Sequence, residues 1–593
     1  MKQKLKALAS LCLALALTLC LTLPAWAAGG EPEGQRIASN ATGSIEVSGV
    51  ESGVTVNVYR LMTVNVNDTA HQPQMPVYSW VNEVASWVRT YYSNYIGSGE
   101  DNSVQEAFSK AGTDDIAAFY DSLAAAIRGG TEITGIDVAG SKNLGENETT
   151  CTIDNLPMGN YLVLIEGGMK IYRPSAVNLV PEWKPGEGDT GEWVVSKAIV
   201  DLKSSELTIT KTVTDTADKD SEERKYAQVD IGDTVTYTLV ADVPEFPADA
   251  INDGYQISDN LPAGMTLNAS TVKVFGGNEN SQETVIAVDK YELKSTDATR
   301  PEGVTVDKDT KNVDFSITFN NIINIRESYS KIKITYTATA NENIKVVGDS
   351  EGQYTNTTGN QNTAYLDYNN NPYEVPATGE TLTWKTDYDT ATVYTYGIKV
   401  TKTDDKDDSK LLAGAEFQVY KDEDKDGEID EGATPLNFVA VGNNSGTYRV
   451  AVNGESKVTT IGGTSATAPN LTLSGLDVGA YILKETKAPD EYNLPSHTFS
   501  VTITDDQTIP VGNGGTTTTT PNGKPEYTSN DNGTTTETDR ADGYELTTIT
   551  NTQGFTLPTT GGMGTVLFTA GGVVLMGAGL VLLVVFLRRR RAK

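Results

Sequence analysis

The stretch GIKVTKTD, residues 397–404, sets apolar residues at alternate positions, which is the period of a β-strand with one buried face. Side chains two residues apart point to the same side of a strand, so Lys402 shares the face of the isoleucine and the valine before it. The stretch LTITKTV, residues 207–213, places Lys211 on an apolar face in the same way. We therefore predict two strands that direct a lysine towards a protein core.

Four further polar residues fall on apolar faces of short strands. They are Asp259 in YQISD, Glu485 in YILKE, Asn362 in NTAYL and Asn551 in TTITN. Two regions of the chain therefore each carry a lysine near the start, an acid in the middle and an asparagine near the end. For any single lysine or acid, the ordinary alternative is a half-exposed residue whose charged end reaches water.

Burial of three such groups in one core has a chemical explanation. A buried charge is costly unless it is paired or neutralised. A desolvated lysine loses its proton easily and becomes a nucleophile, whereas a desolvated carboxylic acid keeps its proton and can polarise a carboxamide. Attack of the amine on the asparagine, with the acid moving protons, would release ammonia and leave a neutral amide crosslink.

The composition favours β-sandwich modules over an α/β enzyme, because the chain has two histidines, more tyrosine than phenylalanine, and many short runs that alternate Thr and Val. We predict a mainly β fold of tandem immunoglobulin-like domains. The first domain occupies 28–200, the second 205–396 and the third 397–553. A polar, threonine-rich insertion at 512–543 in the third domain is expected to be a mobile loop.

The first domain departs from the pattern of the other two. Between its strands lie YSWVNEVASWVRTYYSNYI and DDIAAFYDSLAAAIRGG, whose apolar spacing of three and four predicts a helical insertion. Its opening strand, SIEVSGV, has no lysine at the matching place, although Glu166 follows Leu162 and Leu164 at alternate positions. We therefore expect no crosslink in this domain.

Both ends of the chain carry targeting signals. Residues 1–27 combine three lysines, an apolar stretch and small residues at the expected cleavage site, so they form a secretory signal peptide. Residues 565–587 contain no charge and are long enough for a helix that crosses a membrane, and the basic tail at 588–593 favours the cytoplasmic side. The body of the chain is therefore expected outside the cell, with its precursor anchored in the plasma membrane.

Cysteine content and charge limit the environment and the partners of the secreted body. Loss of the signal peptide removes Cys12 and Cys20, which leaves Cys151 without a pair for a disulfide. Without the eight basic residues of the two ends, the body has 38 basic and 79 acidic residues, a net charge of −41. This excess disfavours nucleic acid and anionic membranes as partners.

The third domain resembles a Cna B-type domain of Gram-positive pilins and surface adhesins in the segments KVTKTD, LLAGAEFQVYKD, LKETKAPDEY and TITNT, and LKETKAP is similar to the pilin E-box. The second domain resembles the isopeptide-forming fimbrial module of backbone pilins in LTITKTV, YTLVADVP, ISDNLPAGMTL and NTAYLDYNNNPY. The resemblance implies self-made isopeptide bonds. The implied crosslinks are Lys211 to Asn362 with Asp259 as catalyst, and Lys402 to Asn551 with Glu485 as catalyst.

A short motif before the apolar segment, LPTTG, resembles the LPxTG sorting signal that sortases read. Its residues are Leu557, Pro558, Thr559, Thr560 and Gly561. The resemblance implies cleavage between the second threonine and the glycine, and transfer of the new carboxyl to an amine of cell-wall peptide or of a lysine in the next subunit. Five residues alone match weakly, but the position before a membrane span and an arginine cluster makes the signal specific.

The lysine that would join subunits is expected in the linker between the first two domains. Backbone pilins usually present this lysine there, often within YPK. The linker of this chain reads AIVDLKSSELTITK and places Lys203 at the corresponding position, without the proline. Lys197, in VVSKAIV, is the second candidate. The ordinary alternative is a solvated lysine in an exposed linker.

An acidic stretch in the third domain, DEDKDGEIDEG, begins with the spacing of an EF-hand calcium loop. The acids at these spacings are Asp422, Asp424, Asp426 and Asp430. The twelfth position is Ala433 where a glutamate would be expected, and no helical pattern flanks the stretch. We therefore expect an acidic hairpin turn and no metal site, with calcium as the weaker alternative.

Together these patterns predict the structural major subunit of a covalent pilus that sortases assemble. Each bond forms once, so the protein is expected to be neither a turnover enzyme nor dependent on a cofactor. Expected partners are a sortase, further copies of the chain and peptidoglycan, with minor pilins and host surface ligands as further candidates. The alternative is a wall-anchored monomeric adhesin that binds host matrix or glycan, while two histidines disfavour a secreted hydrolase.

Overall fold

A computed structural model of the chain describes residues 40–591 except for the segments 68–71, 131, 169, 186–190, 203, 216–222, 247–249, 279–282, 305–310, 348–358, 371–380, 383, 443–445, 463–470, 506, 512–515, 522, 524, 532–533, 540–543 and 555–562. The predicted signal peptide at 1–27 and the LPTTG motif at 557–561 lie outside the described residues.

The N-terminal module, Thr42–Ser205, consists mainly of two sheets. Thr42–Ser48 is the central strand of the smaller sheet, and Thr55–Asn67 and Gly159–Glu166 are the central pair of the larger one. The strands of the module are Thr42–Ser48, Thr55–Asn67, Gln72–Trp80, Val138–Asn143, Thr150–Pro157, Gly159–Glu166, Ile171–Tyr172, Ser175–Leu179, Pro181–Pro185, Gly191–Val195, Ala198–Asp201 and Ser204–Ser205.

The helical insertion predicted for this module is confirmed. Its helices are Asn82–Tyr91, Glu106–Ser109 and Thr113–Gly129, with a 3₁₀ turn at Ser93–Tyr95. The longest helix buries residues spaced by three and four, among them Phe119, whose ring lies 5.6 Å from that of Trp80. It ends where Gly130 takes a left-handed conformation, with φ of 62°. The insertion thus has an aromatic core of its own beside the larger sheet.

The middle module, Ile209–Tyr394, is a sandwich of a five-stranded and a six-stranded sheet. Lys331–Ala340 is the central strand of the first sheet and buries every second residue. Tyr255–Asn260 and Asn360–Asn369 are neighbours in the second sheet. The strands are Ile209–Asp215, Tyr226–Gln228, Thr234–Asp242, Tyr255–Asn260, Met265–Gly277, Thr284–Val285, Tyr291–Lys294, Phe315–Phe319, Lys331–Ala340, Asn360–Asn369 and Trp384–Tyr394, with a short helix at Ile322–Arg326 and a 3₁₀ turn at Val288–Lys290.

The C-terminal module, Tyr396–Asn551, is a second sandwich with two six-stranded sheets. Its first strand, Tyr396–Asp404, pairs in parallel with its last, Tyr544–Asn551, and Gly479–Lys487 belongs to the facing sheet. The strands are Tyr396–Asp404, Asp407–Leu411, Glu416–Asp422, Phe438–Ala440, Thr447–Val450, Ile461–Gly462, Leu471–Leu476, Gly479–Lys487, Phe499–Thr504, Gln507–Val511, Thr516–Thr520, Glu526–Asp531, Thr534–Asp539 and Tyr544–Asn551.

The expectation of a mobile loop at 512–543 is wrong for the described part of that segment, which forms strands. Glu526–Asp531 extends the sheet by pairing with Phe499–Thr504. Tyr527 is buried and its hydroxyl donates to the Gly397 carbonyl oxygen over 2.9 Å. Threonine is β-branched and favours extended backbone, so a threonine-rich composition was compatible with strands once a sheet edge was available.

The C-terminal segment forms one helix, Met563–Arg590, as predicted from 565–587. Within it, Phe568–Arg590 is long and apolar enough to cross a membrane by length and composition. The predicted mainly β fold, with a helical insertion and a C-terminal apolar helix, is therefore confirmed.

Candidate functional site

Two sheets bring three sequence-predicted residues together inside the middle module. Lys211 lies on the five-stranded sheet, and Asp259 and Asn362 lie on the six-stranded sheet that faces it. Asp259 pairs with Ala364, so Asn362 is its diagonal neighbour on the same face of the sheet. The side chains of the lysine, the aspartate and the asparagine are each 0% exposed. The predicted burial of Lys211 is thus confirmed.

A tyrosine that the sequence reasoning missed joins these three residues. The Lys211 amine donates to the Asp259 carboxylate and, over 3.0 Å, to the Tyr336 hydroxyl. The Tyr336 hydroxyl donates to Asp259 Oδ1 over 2.8 Å and accepts from Asn362 Nδ2 over 2.8 Å. We call these four residues the middle cluster. The available signal was the inward position of a tyrosine in the alternating strand KIKITYTATA, since a buried hydroxyl requires a partner.

The surroundings of the middle cluster favour uncharged forms of its acid and its amine. Burial raises the pKa of Asp259 and lowers the pKa of Lys211, because no water remains to solvate either charge. The proximity of the two groups opposes both shifts, and burial remains the larger influence. The amine also lies 4.8 Å from the centroid of the Tyr237 ring, which helps to close the pocket. A neutral amine is a competent nucleophile towards a carboxamide, and here the amine and the carboxamide share the Tyr336 hydroxyl as a hydrogen-bond partner.

The C-terminal module assembles a similar group from its two sheets. Lys402 pairs with Ile549 across the parallel first and last strands, so Asn551 lies two residues further along the same face. Glu485 reaches the pair from the facing sheet. We call Lys402, Glu485 and Asn551 the C-terminal cluster; their exposed fractions are 0%, 4% and 2%. The predicted burial of Lys402 is also confirmed.

In the C-terminal cluster the acid contacts the carboxamide directly. The Lys402 amine donates to Asn551 Oδ1 and, over 3.3 Å, to the Ile549 carbonyl oxygen. Asn551 Nδ2 donates to Glu485 Oε1 over 2.8 Å and to the Asn493 carbonyl oxygen over 3.2 Å. These bonds orient the amide nitrogen towards the acid and the oxygen towards the amine. Burial raises the pKa of Glu485, which favours a protonated acid beside the amide.

The other candidate residues lie apart from these clusters. Glu166 of the N-terminal module is exposed. Lys197 is half-exposed and forms an ion pair with Glu46. Lys203 lies outside the described residues. Within the described part of the N-terminal module, no lysine contacts both an acid and an asparagine in a core.

The acidic stretch forms a turn after the strand Glu416–Asp422. Single carboxylate oxygens of Asp422, Asp424 and Asp426 lie within 4.8 Å of one another. Asp422 is 4% exposed, its Oδ2 accepts from the Gly427 amide over 3.0 Å, and its Oδ1 has no hydrogen-bond partner among the described residues. The neighbouring carboxylates raise the pKa of Asp430. The expected hairpin is wrong, because Glu416–Asp422 pairs with Ile461–Gly462 and Gly479–Lys487, whereas the next strand, Phe438–Ala440, pairs with Thr447–Val450 in the other sheet. The acidic stretch therefore belongs to a loop between the two sheets, and the unpartnered oxygen of Asp422 keeps calcium as an alternative.

Two family comparisons match parts of the chain. Residues 396–515 match the SpaA prealbumin-like fold domain, and residues 549–593 match the LPXTG cell wall anchor motif. Among curated proteins, the chain is 26% identical over 314 residues to the trypsin-resistant surface T6 protein of Streptococcus pyogenes. That alignment covers 51% of this chain and 46% of the relative, so the chain spans about half the length of the curated relative it matches.

Solved pilin structures are also similar to this chain. The T6 backbone pilin of S. pyogenes is 18% identical, with a TM-score of 0.48, over 87% of this chain and 99% of the pilin. The major pilin SpaA of Corynebacterium diphtheriae is 14% identical, with a TM-score of 0.42, over 86% of this chain and 100% of the pilin.

The anchor match includes the apolar helix and places the chain among proteins attached to the cell wall after export. The C-terminal cluster lies in and just beyond the region that matches the prealbumin-like domain. The protein is therefore a cell-wall-attached surface protein with a membrane-anchored precursor, which contains a match to the SpaA prealbumin-like domain and is similar over about half its length to the T6 surface protein.

Proposed function

We propose that this chain is the structural major subunit of a sortase-assembled covalent surface pilus. We further propose that it forms one internal crosslink within its middle module and another within its C-terminal module. The partial homology to the T6 protein and the LPXTG anchor support the first part. The internal crosslinks are supported above all by the contact between the fully buried Lys402 amine and the Asn551 carboxamide, with an acid beside the amide nitrogen.

The proposed reaction forms an amide between the lysine and the asparagine. In the C-terminal cluster, the neutral amine of Lys402 attacks Cγ of Asn551, and the carboxyl group of Glu485 donates a proton to the amide nitrogen. The C–Nδ2 bond breaks and ammonia leaves, while the carboxylate takes a proton from the new amide nitrogen. The acid returns to its starting form. The product is neutral, so the cost of burying a charged amine is removed.

The bonds would stabilise the modules through the unfolded state. Lys402 and Asn551 are 149 residues apart in sequence, and a crosslink of this span is worth roughly 5 kcal/mol by analogy with disulfides. Such a link suits an extracellular protein in which Cys151 is a free thiol. It also carries tension from one strand to another without loading the residues between them.

Intact mass spectrometry of the mature chain, residues 28–560, tests the crosslinks. Each bond formed from asparagine releases one ammonia, about 17 Da, so two bonds lower the mass by about 34 Da. Lys211→Ala and Lys402→Ala should each remove one of the two losses, and peptide mapping should locate the surviving bond. A wild-type chain at its unmodified mass would refute the crosslinks.

For assembly, we propose that a sortase cleaves after Thr560 and transfers the chain to Lys203 of a second copy or to peptidoglycan. Wall extracts boiled in SDS and immunoblotted should show a ladder of covalent polymers. Lys203→Ala should abolish the ladder. Lys197→Ala, which removes the second candidate lysine, should leave the ladder intact. A single band in the wild type would instead support the monomeric adhesin.

A further inference from the structure

The two clusters differ in how the acid reaches the asparagine. In the C-terminal cluster, Asn551 Nδ2 donates directly to Glu485 over 2.8 Å. In the middle cluster, Asn362 Nδ2 donates to the Tyr336 hydroxyl, and that hydroxyl donates to Asp259. Aspartate is one methylene shorter than glutamate. The tyrosine oxygen therefore stands between the acid and the amide in the module that has the shorter acid.

The hydroxyl of Tyr336 uses its full hydrogen-bonding capacity within the cluster. A phenolic hydroxyl has one hydrogen to donate and can accept two bonds. It accepts from Lys211 Nζ and Asn362 Nδ2 and donates to Asp259 Oδ1. All three of its partners are groups that react or move protons in the proposed reaction.

Packing fixes the position of this hydroxyl. The Tyr336 side chain is 1% exposed. Its ring stacks on that of Tyr237 with centroids 5.2 Å apart, and it meets the edge of Phe315 at 5.0 Å and an interplanar angle of 75°. Burial raises the pKa of Tyr336 well above its ordinary value, so the group stays a neutral hydroxyl that can both give and receive a proton.

We propose that Tyr336 is a catalytic residue of the middle-module crosslinking reaction, in which its hydroxyl relays a proton from Asp259 to the departing amide nitrogen of Asn362. This inference rests on the proposed crosslinking function. The C-terminal cluster needs no such relay because Glu485 reaches its amide directly.

The relay conserves atoms and charge. The neutral Lys211 amine attacks Cγ of Asn362 and forms the new N–C bond. After this addition Nδ2 is no longer conjugated with the carbonyl group and becomes basic, so the two hydrogen bonds of the Tyr336 hydroxyl to Asp259 and Nδ2 reverse their direction. The Asp259 carboxyl then gives its proton to the Tyr336 oxygen as the tyrosine gives its own to Nδ2, and the C–Nδ2 bond breaks with release of ammonia. The Asp259 carboxylate then takes the surplus proton from Nζ. Asp259 and Tyr336 end as they began, and the product is an amide.

The test is the Tyr336→Phe substitution in the mature chain, followed by intact mass and peptide mapping over time. The middle bond should form at least about 100-fold more slowly, the lower end of the range for general acid–base catalysis. The C-terminal bond of the same molecule should form normally, because Glu485 reaches its asparagine without a tyrosine. Tyr255→Phe is the matched control, because it removes a buried hydroxyl of the same module that donates to the Asp242 carbonyl oxygen instead.

A rescue variant separates proton relay from packing. Adding Asp259→Glu to Tyr336→Phe supplies an acid as long as Glu485, so the middle bond should return. Normal bond formation in Tyr336→Phe would overturn the inference, as would equal loss in Tyr255→Phe or a failed rescue. Failure of the proposed function is distinguishable, because the wild-type chain itself would then lack the middle bond.

Discussion

Replacing Glu485 by glutamine should prevent the C-terminal crosslink while leaving the shape of the core nearly unchanged. Glutamine is isosteric with glutamate but cannot cycle a proton between the amine and the amide. Glu485 is 4% exposed and hydrogen-bonds Asn551 Nδ2, so the substitution acts at the reacting atoms. The Lys402 amine and the Asn551 carboxamide should then remain as separate groups in the core.

The size of the effect follows from the span of the crosslink. The lysine and asparagine enclose 149 residue steps, which corresponds to roughly 5 kcal/mol of stabilisation through the unfolded state. For a module of this size, each kcal/mol shifts the thermal midpoint by about 2–4 °C. The C-terminal module of Glu485→Gln should therefore melt about 10–20 °C lower than in the wild type.

Differential scanning calorimetry combined with intact mass spectrometry gives the readout. The Glu485→Gln chain should lose one ammonia where the wild type loses two, and only the thermal transition of its C-terminal module should shift. The transition of the middle module serves as an internal reference. Glu416→Gln, a change of one partly exposed acid in the same module, should preserve both bonds. Two ammonia losses in Glu485→Gln would refute the role of the acid, and a single loss without a thermal shift would refute the stabilisation argument.

Three further predictions concern other charged groups. Burial, reinforced by the carboxylate of Asp230, raises the pKa of Asp477 to about 7, so this group binds its proton more tightly in the folded state. Its contribution to stability is present in acid and is lost as the pH rises from near 3.8 towards 7. Thermal melting should show a higher midpoint at about pH 5 than at about pH 7.5, and Asp477→Asn should reduce the difference; an unchanged difference would contradict the assignment. Calorimetric titration with calcium should show no saturable heat, whereas weak binding with a Kd on the order of 10⁻⁴ to 10⁻³ M that Asp422→Asn abolishes would instead establish a calcium site in the acidic stretch. Arg300→Ala should destabilise the middle module by about 3–5 kcal/mol in urea unfolding, because it leaves the carboxylate of Asp367 buried without its cation; a loss under about 1 kcal/mol would show that water reaches the site.

The lysines, acids and asparagines of both clusters could be predicted from the sequence, because the alternation of side chains along a strand is visible within that strand alone. One strand is enough to show that Lys211 or Lys402 shares a face with apolar residues. The role of Tyr336 was not accessible in this way, since tyrosine is common in cores and its hydroxyl partners come from three different strands. The strands within 512–543 were missed for a related reason. A run of threonines shows no alternation of apolar and polar residues, so it does not indicate a strand. The strand Glu526–Asp531 forms by pairing with Phe499–Thr504, which lies earlier in the chain, before the threonine run.

The positions of the proposed bonds imply different load paths in the two crosslinked modules. In the C-terminal module the chain arrives on Tyr396–Asp404 and leaves after Asn551, which ends the neighbouring parallel strand. A bond from Lys402 to Asn551 would therefore leave residues 396–401 outside the closed loop on the entering side, held by hydrogen bonds to Leu471–Leu476 and Tyr544–Asn551.

The middle module differs because its last strand, Trp384–Tyr394, follows Asn362 in sequence and lies outside the loop that a Lys211–Asn362 bond would close. That strand would stay under load, held by an antiparallel ladder to Asn360–Asn369 and by a parallel ladder to Tyr226–Gln228. Both partner strands belong to the same folded core, and the second lies inside the closed loop. A pulling force must therefore break hydrogen bonds along Trp384–Tyr394 before the middle module lengthens, whereas in the described part of the C-terminal module the hydrogen-bonded strand residues outside the loop are only 396–401. The proposed crosslinks would thus concentrate any reversible extension of these two modules in the strand that joins them.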